Sequence, residues 1–181
     1  METLKEEYYT YENFLEFVKN APENERYELI FGKIYMMGGA SAPHQDILGN
    51  IFFKLKQLQY ENKTGCKPRI APFDLELKCK KGEKSVVQPD IILYCENEKL
   101  PCAIFEVLFP STAYKDKTVK KDLYESCKIK EYFLVDPLAK TIEIFRLQKD
   151  KYIYAGCFGE KDKMKSICLN QEIDLKEVME I

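Results

Sequence analysis

The chain has 181 residues, 45 % of them hydrophobic and 32 % charged, with a formal net charge of −2. That length suits one domain over residues 1–181 with one ordinary core, and that composition excludes a disordered chain. The balanced charge argues against a generic polyanion binder, and no apolar run reaches the roughly 20 residues of a membrane span.

The start, Met1 to Glu7, is acidic and has no hydrophobic signal core, so a cytoplasmic location is expected. Seven cysteines are scattered without a CxxC pair. An odd, scattered set is expected to be unpaired thiols in a reducing compartment. The single histidine, His44, argues against a structural zinc site. Nucleotide-loop, serine-hydrolase and zinc-protease motifs are missing.

In chain order, Thr10 is expected to cap a helix with Tyr11, Phe14, Leu15 and Val18 on one face, ending near Asn20. Two short strands flank Gly32, over 27–31 and 33–37. Ser41 caps a second helix with Pro43 in its first turn and a stripe of Ile47, Leu48, Ile51, Phe52, Leu55 and Leu58. Phe73 to Leu77 alternates as a strand. Lys80-Lys81-Gly82-Glu83 reads as a turn, and Val86 to Tyr94 as one strand carrying Pro89. Ala103 to Leu108 is an apolar strand interrupted by Glu106. A helix starts at Pro110-Ser111-Thr112 and runs to about Cys127. Glu131 to Asp136, Thr141 to Leu147 and Tyr152 to Cys157 are further strands. This mixture indicates an α/β or α+β fold.

Charge is unevenly spread. Residues 1–31 hold three basic residues against eight glutamates. Residues 63–84 hold seven basic residues against three acids, and residues 114–130 six lysines against three acids. Each basic segment is either a solvated surface or a phosphate-facing patch. The aromatic tail (Phe145, Tyr152, Tyr154, Phe158) is either core or a homodimer surface.

Glu106 carries the chemical argument. A lone carboxylate in an apolar strand costs several kcal/mol unless it is paired or bound to a metal. Asp90, sixteen residues earlier, also borders an apolar run. Two acids on adjacent strands form a hard-cation site suited to Mg²⁺; the alternative is a structural ion pair with a buried lysine. At about 100° per residue, Asp116, Lys120 and Tyr124 form an inward polar stripe on the following helix, while Lys121 points outward. An inward lysine facing two acids suits oxyanion stabilisation, or the structural Lys120–Glu106 pair.

From about Tyr8 onward the chain resembles the Uma-type restriction endonuclease family of the PD-(D/E)xK nuclease superfamily. The resemblance rests on Tyr27–Gly32, Ala42-Pro43-His44, Pro72-Phe73-Asp74, Val86–Ile91, Phe105–Thr112, Asp116 with Lys120 and Tyr124, and Glu131–Pro137. It implies a mixed β-sheet core flanked by helices. It also implies Asp90 and Glu106 as ligands of Mg²⁺ or Mn²⁺, and a catalytic lysine migrated to Lys120. Glu28 is the extra acid able to complete the metal shell, with Tyr124, His44 and Asp116 as accessory positions. The expected activity is metal-dependent hydrolysis of nucleic acid, DNA above RNA. Phe109 and Gln88 depart from the family pattern, where serine and glutamate are usual. The alternative is an inactive nucleic-acid-binding or partner-binding protein retaining the fold. His44, in the first turn of a helix, is poorly placed to be an imidazolium.

Overall fold

The computed structural model describes residues 8–39, 41–62, 65–78, 84–95 and 98–180. In chain order the elements are α1 (Tyr11–Asn20), β1 (Tyr27–Ile30), β2 (Lys33–Met36), α2 (Ala42–Asn62), β3 (Lys67–Ile70), β4 (Leu75–Lys78), β5 (Lys84–Val87), β6 (Ile91–Tyr94) and β7 (Ala103–Val107). Then follow α3 (Ala113–Lys115), a π-helical turn (Asp116–Lys120), α4 (Lys121–Ser126), β8 (Glu131–Asp136), β9 (Thr141–Gln148), β10 (Lys151–Gly159), β11 (Lys163–Ser166), β12 (Gln171–Asp174) and α5 (Leu175–Val178). The fold is a mixed α+β arrangement, as the sequence indicates. The expected turn at Lys80–Glu83 lies outside the described residues.

A six-stranded sheet in the order β10-β9-β8-β7-β6-β3 forms the centre. Only β7 and β8 pair in parallel within it. A parallel pair needs a crossover, and α3 through α4 supply it. A smaller sheet, β2-β1-β5-β4, packs nearby, and β11 pairs with β12. The two faces of the central sheet bury different cores. Ile91, Leu93, Phe105 and Phe133 meet Ile47, Ile51 and Leu55 of α2. Ile92, Ile104 and Tyr132 meet Leu123 and Tyr124 of the crossover and Leu75, Leu77 and Val87 of the small sheet. Alternation along each strand sends neighbours to opposite cores.

Local signals work where they are strong. Thr10 accepts a hydrogen bond from the Asn13 amide at the start of α1. Phe31 and Gly32, at φ 49° and 76°, make the tight turn between β1 and β2. Positive φ at both central residues matches the twist of a two-residue hairpin.

Three expectations need correction. Val86 to Tyr94 is not one strand: β5 belongs to the small sheet and β6 to the large one. Pro89 cannot donate to a ladder, so the chain leaves one sheet and enters the other across Gln88-Pro89-Asp90. The helix to Cys127 is not uniform, because a π-turn interrupts it. The cysteines are not all free: Cys66 is bonded to Cys95, and Cys102 to Cys168. Partners 29 and 66 residues apart are invisible to spacing rules. This also removes cysteine count as an argument for a reducing compartment. No helix among the described residues is long and apolar enough to cross a membrane. In the aromatic tail, Phe145, Tyr152 and Phe158 pack on the cores, while Tyr154 is half exposed.

Candidate active site

The antiparallel register of β6 and β7 places Ile91 opposite Phe105. One step further, Asp90 stands opposite Glu106. Asp90 Oδ2 accepts the Val107 amide at 2.7 Å, which fixes the first acid beside the second. Glu106 and Ile104 share the face turned toward α4. There, Lys120 Nζ and Tyr124 Oη each donate to Glu106 Oε1 at 2.8 Å. The ion pair held open as a structural alternative is therefore formed. It occupies one oxygen of Glu106 and leaves Oε2 without a hydrogen bond among the described residues.

Glu28, on β1, lies behind the lysines. Its Oε1 accepts from Lys120 Nζ and the Gln88 amide, both at 3.0 Å, and its Oε2 accepts from Lys115 Nζ. Both oxygens are committed and the residue is fully buried. Glu28 thus holds the lysines in place and lies away from the pocket lining. Asp116 Oδ1 lies 3.7 Å from Lys120 Nζ. His44 Nε2 lies 3.4 Å from Asp90 Oδ2, and its buried Nδ1 has no hydrogen-bond partner.

A pocket of about 280 Å³ opens onto this cluster, with Asp90, Glu106, Asp116, Lys120, Lys115 and His44 among its walls. Tyr124 lies beneath it, fully buried. Gln88 and Phe109 also line it. Gln88 Nε2 donates to Asp74 Oδ1 at 2.7 Å, and Gln88 Oε1 is buried without a partner. A larger cleft of about 740 Å³ under α1 has Glu16 as its one carboxylate and no cation, so it lacks comparable chemistry.

Burial would raise the Glu28 carboxyl, but Lys120 and Lys115 outweigh it and hold it below the usual carboxylate range. Burial pushes Glu106 up to about 8, with Asp116, Asp90 and Glu28 adding to the rise against Lys120. Burial also raises Asp116. Burial would depress the Lys120 ammonium, yet Glu106, Glu28 and Asp116 hold it well above its ordinary value. Lys120 is a permanent cation at neutral pH. His44 corrects the expectation from helix position. Burial would lower its imidazole, but the Asp90 carboxylate raises it above the ordinary value. A paired carboxylate at close range outweighs the helix-end dipole.

Lys115 is the side chain that sequence reasoning missed. At about 100° per residue, Lys115 and Lys120 stand about 140° apart on an α-helix. The wider π-turn brings residues five apart onto one side, so both reach Glu28. No local signal marks that widened turn.

Asp90 and Glu106 present oxygen donors of the kind a hard cation takes. Four acidic side chains (Glu28, Asp90, Glu106, Asp116) meet two lysines and His44 here. Glu106 Oε2 and Asp90 Oδ1 are free of hydrogen bonds among the described residues, and Gln88 Oε1 is orphaned beside them. Among the described residues, no group of three or more His, Cys, Asp or Glu side chains is arranged to hold a metal ion.

The fold is thus a mixed sheet that carries two acids and a crossover lysine beside one pocket. The chain belongs to the Uma2 family, described as "Putative restriction endonuclease", whose model matches residues 6–175. Two relatives from Synechocystis sp. are the uncharacterized proteins slr1290 and sll1609. The first is 26 % identical over 164 residues, covering 84 % of each chain. The second is 29 % identical over 157 residues, covering 78 % of this chain and 84 % of the relative. The crystal structure of a "putative nuclease belonging to DUF820" from Anabaena variabilis superposes with a TM-score of 0.68 at 15 % identity, covering 91 % of this chain and 95 % of that one. That likeness is one of fold.

Proposed function

We propose that this protein is a metal-dependent endonuclease that hydrolyses phosphodiester bonds, with DNA as substrate. The observation that carries the reading is the buried Lys120 ammonium held 2.8 Å from Glu106 beside Asp90, at the wall of an open pocket. The restriction-endonuclease description of the family supports DNA over RNA.

Asp90 and Glu106 would hold Mg²⁺ or Mn²⁺ through their free oxygens, with Gln88 Oε1 as a further neutral donor. Bound there, the ion supplies Lewis acidity toward a phosphate oxygen and lowers the pKa of a coordinated water. Lys120 presents a fixed positive charge to the anionic phosphate as negative charge develops on it. Preorganised charge of this kind is worth more in a dry site than in water. Glu28 and Asp116 aim Lys120. Tyr124 anchors Glu106 Oε1, so that Oε2 remains for the metal. His44 orients Asp90 together with the Val107 amide. Gln88 and Phe109 shape the pocket without removing a carboxylate ligand.

The test is nicking of supercoiled plasmid with Mg²⁺, with Mn²⁺ and with chelator, beside Asp90→Ala. Nicking that needs metal and is lost in Asp90→Ala supports the reading. Metal-independent nicking, or equal nicking by Asp90→Ala, refutes it. Metal-insensitive DNA binding without nicking favours the inactive binding protein.

A further inference from the structure

Four acidic side chains gather at and just behind the pocket, so a polyanionic substrate gains from positive charge placed at its rim. In the basic segment 114–130, Lys115, Lys117, Lys120, Lys128 and Lys130 are all ion-paired within the chain. The sixth, Lys121, lies over the Phe145 ring. Five of the six lysines in that segment therefore already have acidic partners.

The chain has three arginines. Arg146 is committed to Glu131 at 3.1 Å. Arg26 and Arg69 are exposed, and no ion pair among the described residues engages either. Arg26, just before β1, lines the pocket, and Arg69, on β3, directly precedes three residues that do, Ile70, Ala71 and Pro72.

Sheet register sets the distance from Arg69 to Glu106. Arg69 is opposite Ile92, and Ile92 is opposite Ile104. Glu106 follows Ile104 by two residues, so Arg69 and Glu106 share one face of the sheet. Two strand spacings of about 4.8 Å and two residues of about 3.4 Å separate their backbones by about 12 Å. At about 3.4 Å of helix axis per phosphate, that span is a few nucleotides of one strand.

Arg69 is also pre-positioned. Its guanidinium carbon lies 4.8 Å from the Phe73 ring centroid and 4.7 Å from that of Tyr94. Stacking on aromatic faces restrains the planar group while leaving its N–H edge to bind an anion bidentately.

We infer that Arg26 and Arg69 are phosphate contacts that hold a nucleic-acid strand across the mouth of the pocket. The inference rests on the nuclease reading and names how its substrate is held. The two guanidinium groups add positive charge that the ion-paired lysines of 114–130 do not leave free.

The experiment measures binding of a fluorescein-labelled 20-base-pair DNA duplex by anisotropy across a salt series. Wild type is compared with Arg26→Ala, Arg69→Ala, Arg69→Lys, the double alanine variant and Lys176→Ala. Lys176 is an exposed cation on α5, away from the pocket, and matches the change in net charge. Each arginine-to-alanine variant is expected to lose roughly tenfold in affinity and about one unit of the log–log salt slope. The double variant should lose about two units, and Arg69→Lys should keep the slope while regaining part of the affinity. Lys176→Ala should match wild type. Equal losses in Lys176→Ala would reduce the effect to bulk charge and overturn the inference. So would a lowered melting temperature in Arg69→Ala with an unchanged salt slope, which would make its aromatic contacts packing alone. Wild type that nicks plasmid while both arginine variants keep the full slope overturns this inference and leaves the nuclease standing. Wild type that neither binds nor nicks overturns both.

Discussion

Lys120 and Glu106 meet at 2.8 Å with both side chains 4 % exposed, fourteen residues apart in sequence and on different elements. The neighbouring Lys121 lies over the Phe145 ring, half-buried and away from the acids. Lys120→Ala is therefore expected to lower the cleavage rate by roughly 10²–10³, while Lys121→Ala leaves it nearly intact. Removing Lys120 also leaves buried carboxylates unpaired, a loss of about 3–5 kcal/mol in stability. Thermal denaturation should accompany the kinetics so that rate is read only on folded protein. Equal rate losses for the two folded variants would remove Lys120 from the chemistry.

Tyr124→Phe deletes one of two donors to Glu106 Oε1 and keeps the ring that packs edge-on to Tyr132. Hydrogen bonds to charged groups contribute about 1.5–3 kcal/mol. The expected outcome is a folded protein with weaker metal affinity, measured by titrating Mg²⁺ in the nicking assay. An unchanged metal requirement would reduce Tyr124 to packing.

The acids oppose each other in pH dependence. Glu106 has a folded pKa raised from 4.5 to about 8. Its contribution to stability is whole below about pH 4.5 and is lost as pH rises toward 8, because the unfolded chain ionises first. Glu28 has a depressed folded pKa, so its contribution is present above the ordinary carboxylate value and is lost as pH falls through the folded one. Metal-free protein should accordingly be most stable on the mildly acidic side. The melting-temperature gain from Mg²⁺ should grow from about pH 6 to about pH 9, as the competing proton leaves Glu106. A gain that shrinks over that range would exclude Glu106 as a ligand.

Cys95 follows β6 and Cys102 precedes β7, at the ends of those strands opposite Asp90 and Glu106. Reduction is expected to lower stability by about 2–4 kcal/mol per bridge, through the freed entropy of the unfolded chain. Cleavage by protein that remains folded should be unchanged. Denaturation with and without reductant, beside Cys102→Ser, measures the first; nicking under reductant measures the second.

Much of the fold is legible before folding. The caps at Thr10 and Ser41, the stripe of α2 and the apolar run of β7 are local signals, and each element stands where its pattern puts it. The strangeness of Glu106 is also local, because a carboxylate inside an apolar strand needs a partner wherever that strand goes. Helical phase alone turns Lys120 inward, since residues three and four apart share a face whatever the helix packs against.

What local pattern could not show depends on the route of the chain. The sequence by itself determined two acids beside apolar runs, Asp90 and Glu106, and the inward helical stripe of Asp116, Lys120 and Tyr124. Only the tertiary structure decided that β5 and β6 part company at Pro89, that a π-turn brings Lys115 beside Lys120, and that Cys102 finds Cys168. It likewise paired nearly all the lysines of 114–130 with acids of the same chain and left Arg26 and Arg69 exposed, with no ion pair among the described residues. The physical reason is range. Periodicity and capping act over a few residues of backbone geometry, whereas ion pairs, disulfides and sheet order join residues that only the folded chain brings within bonding distance.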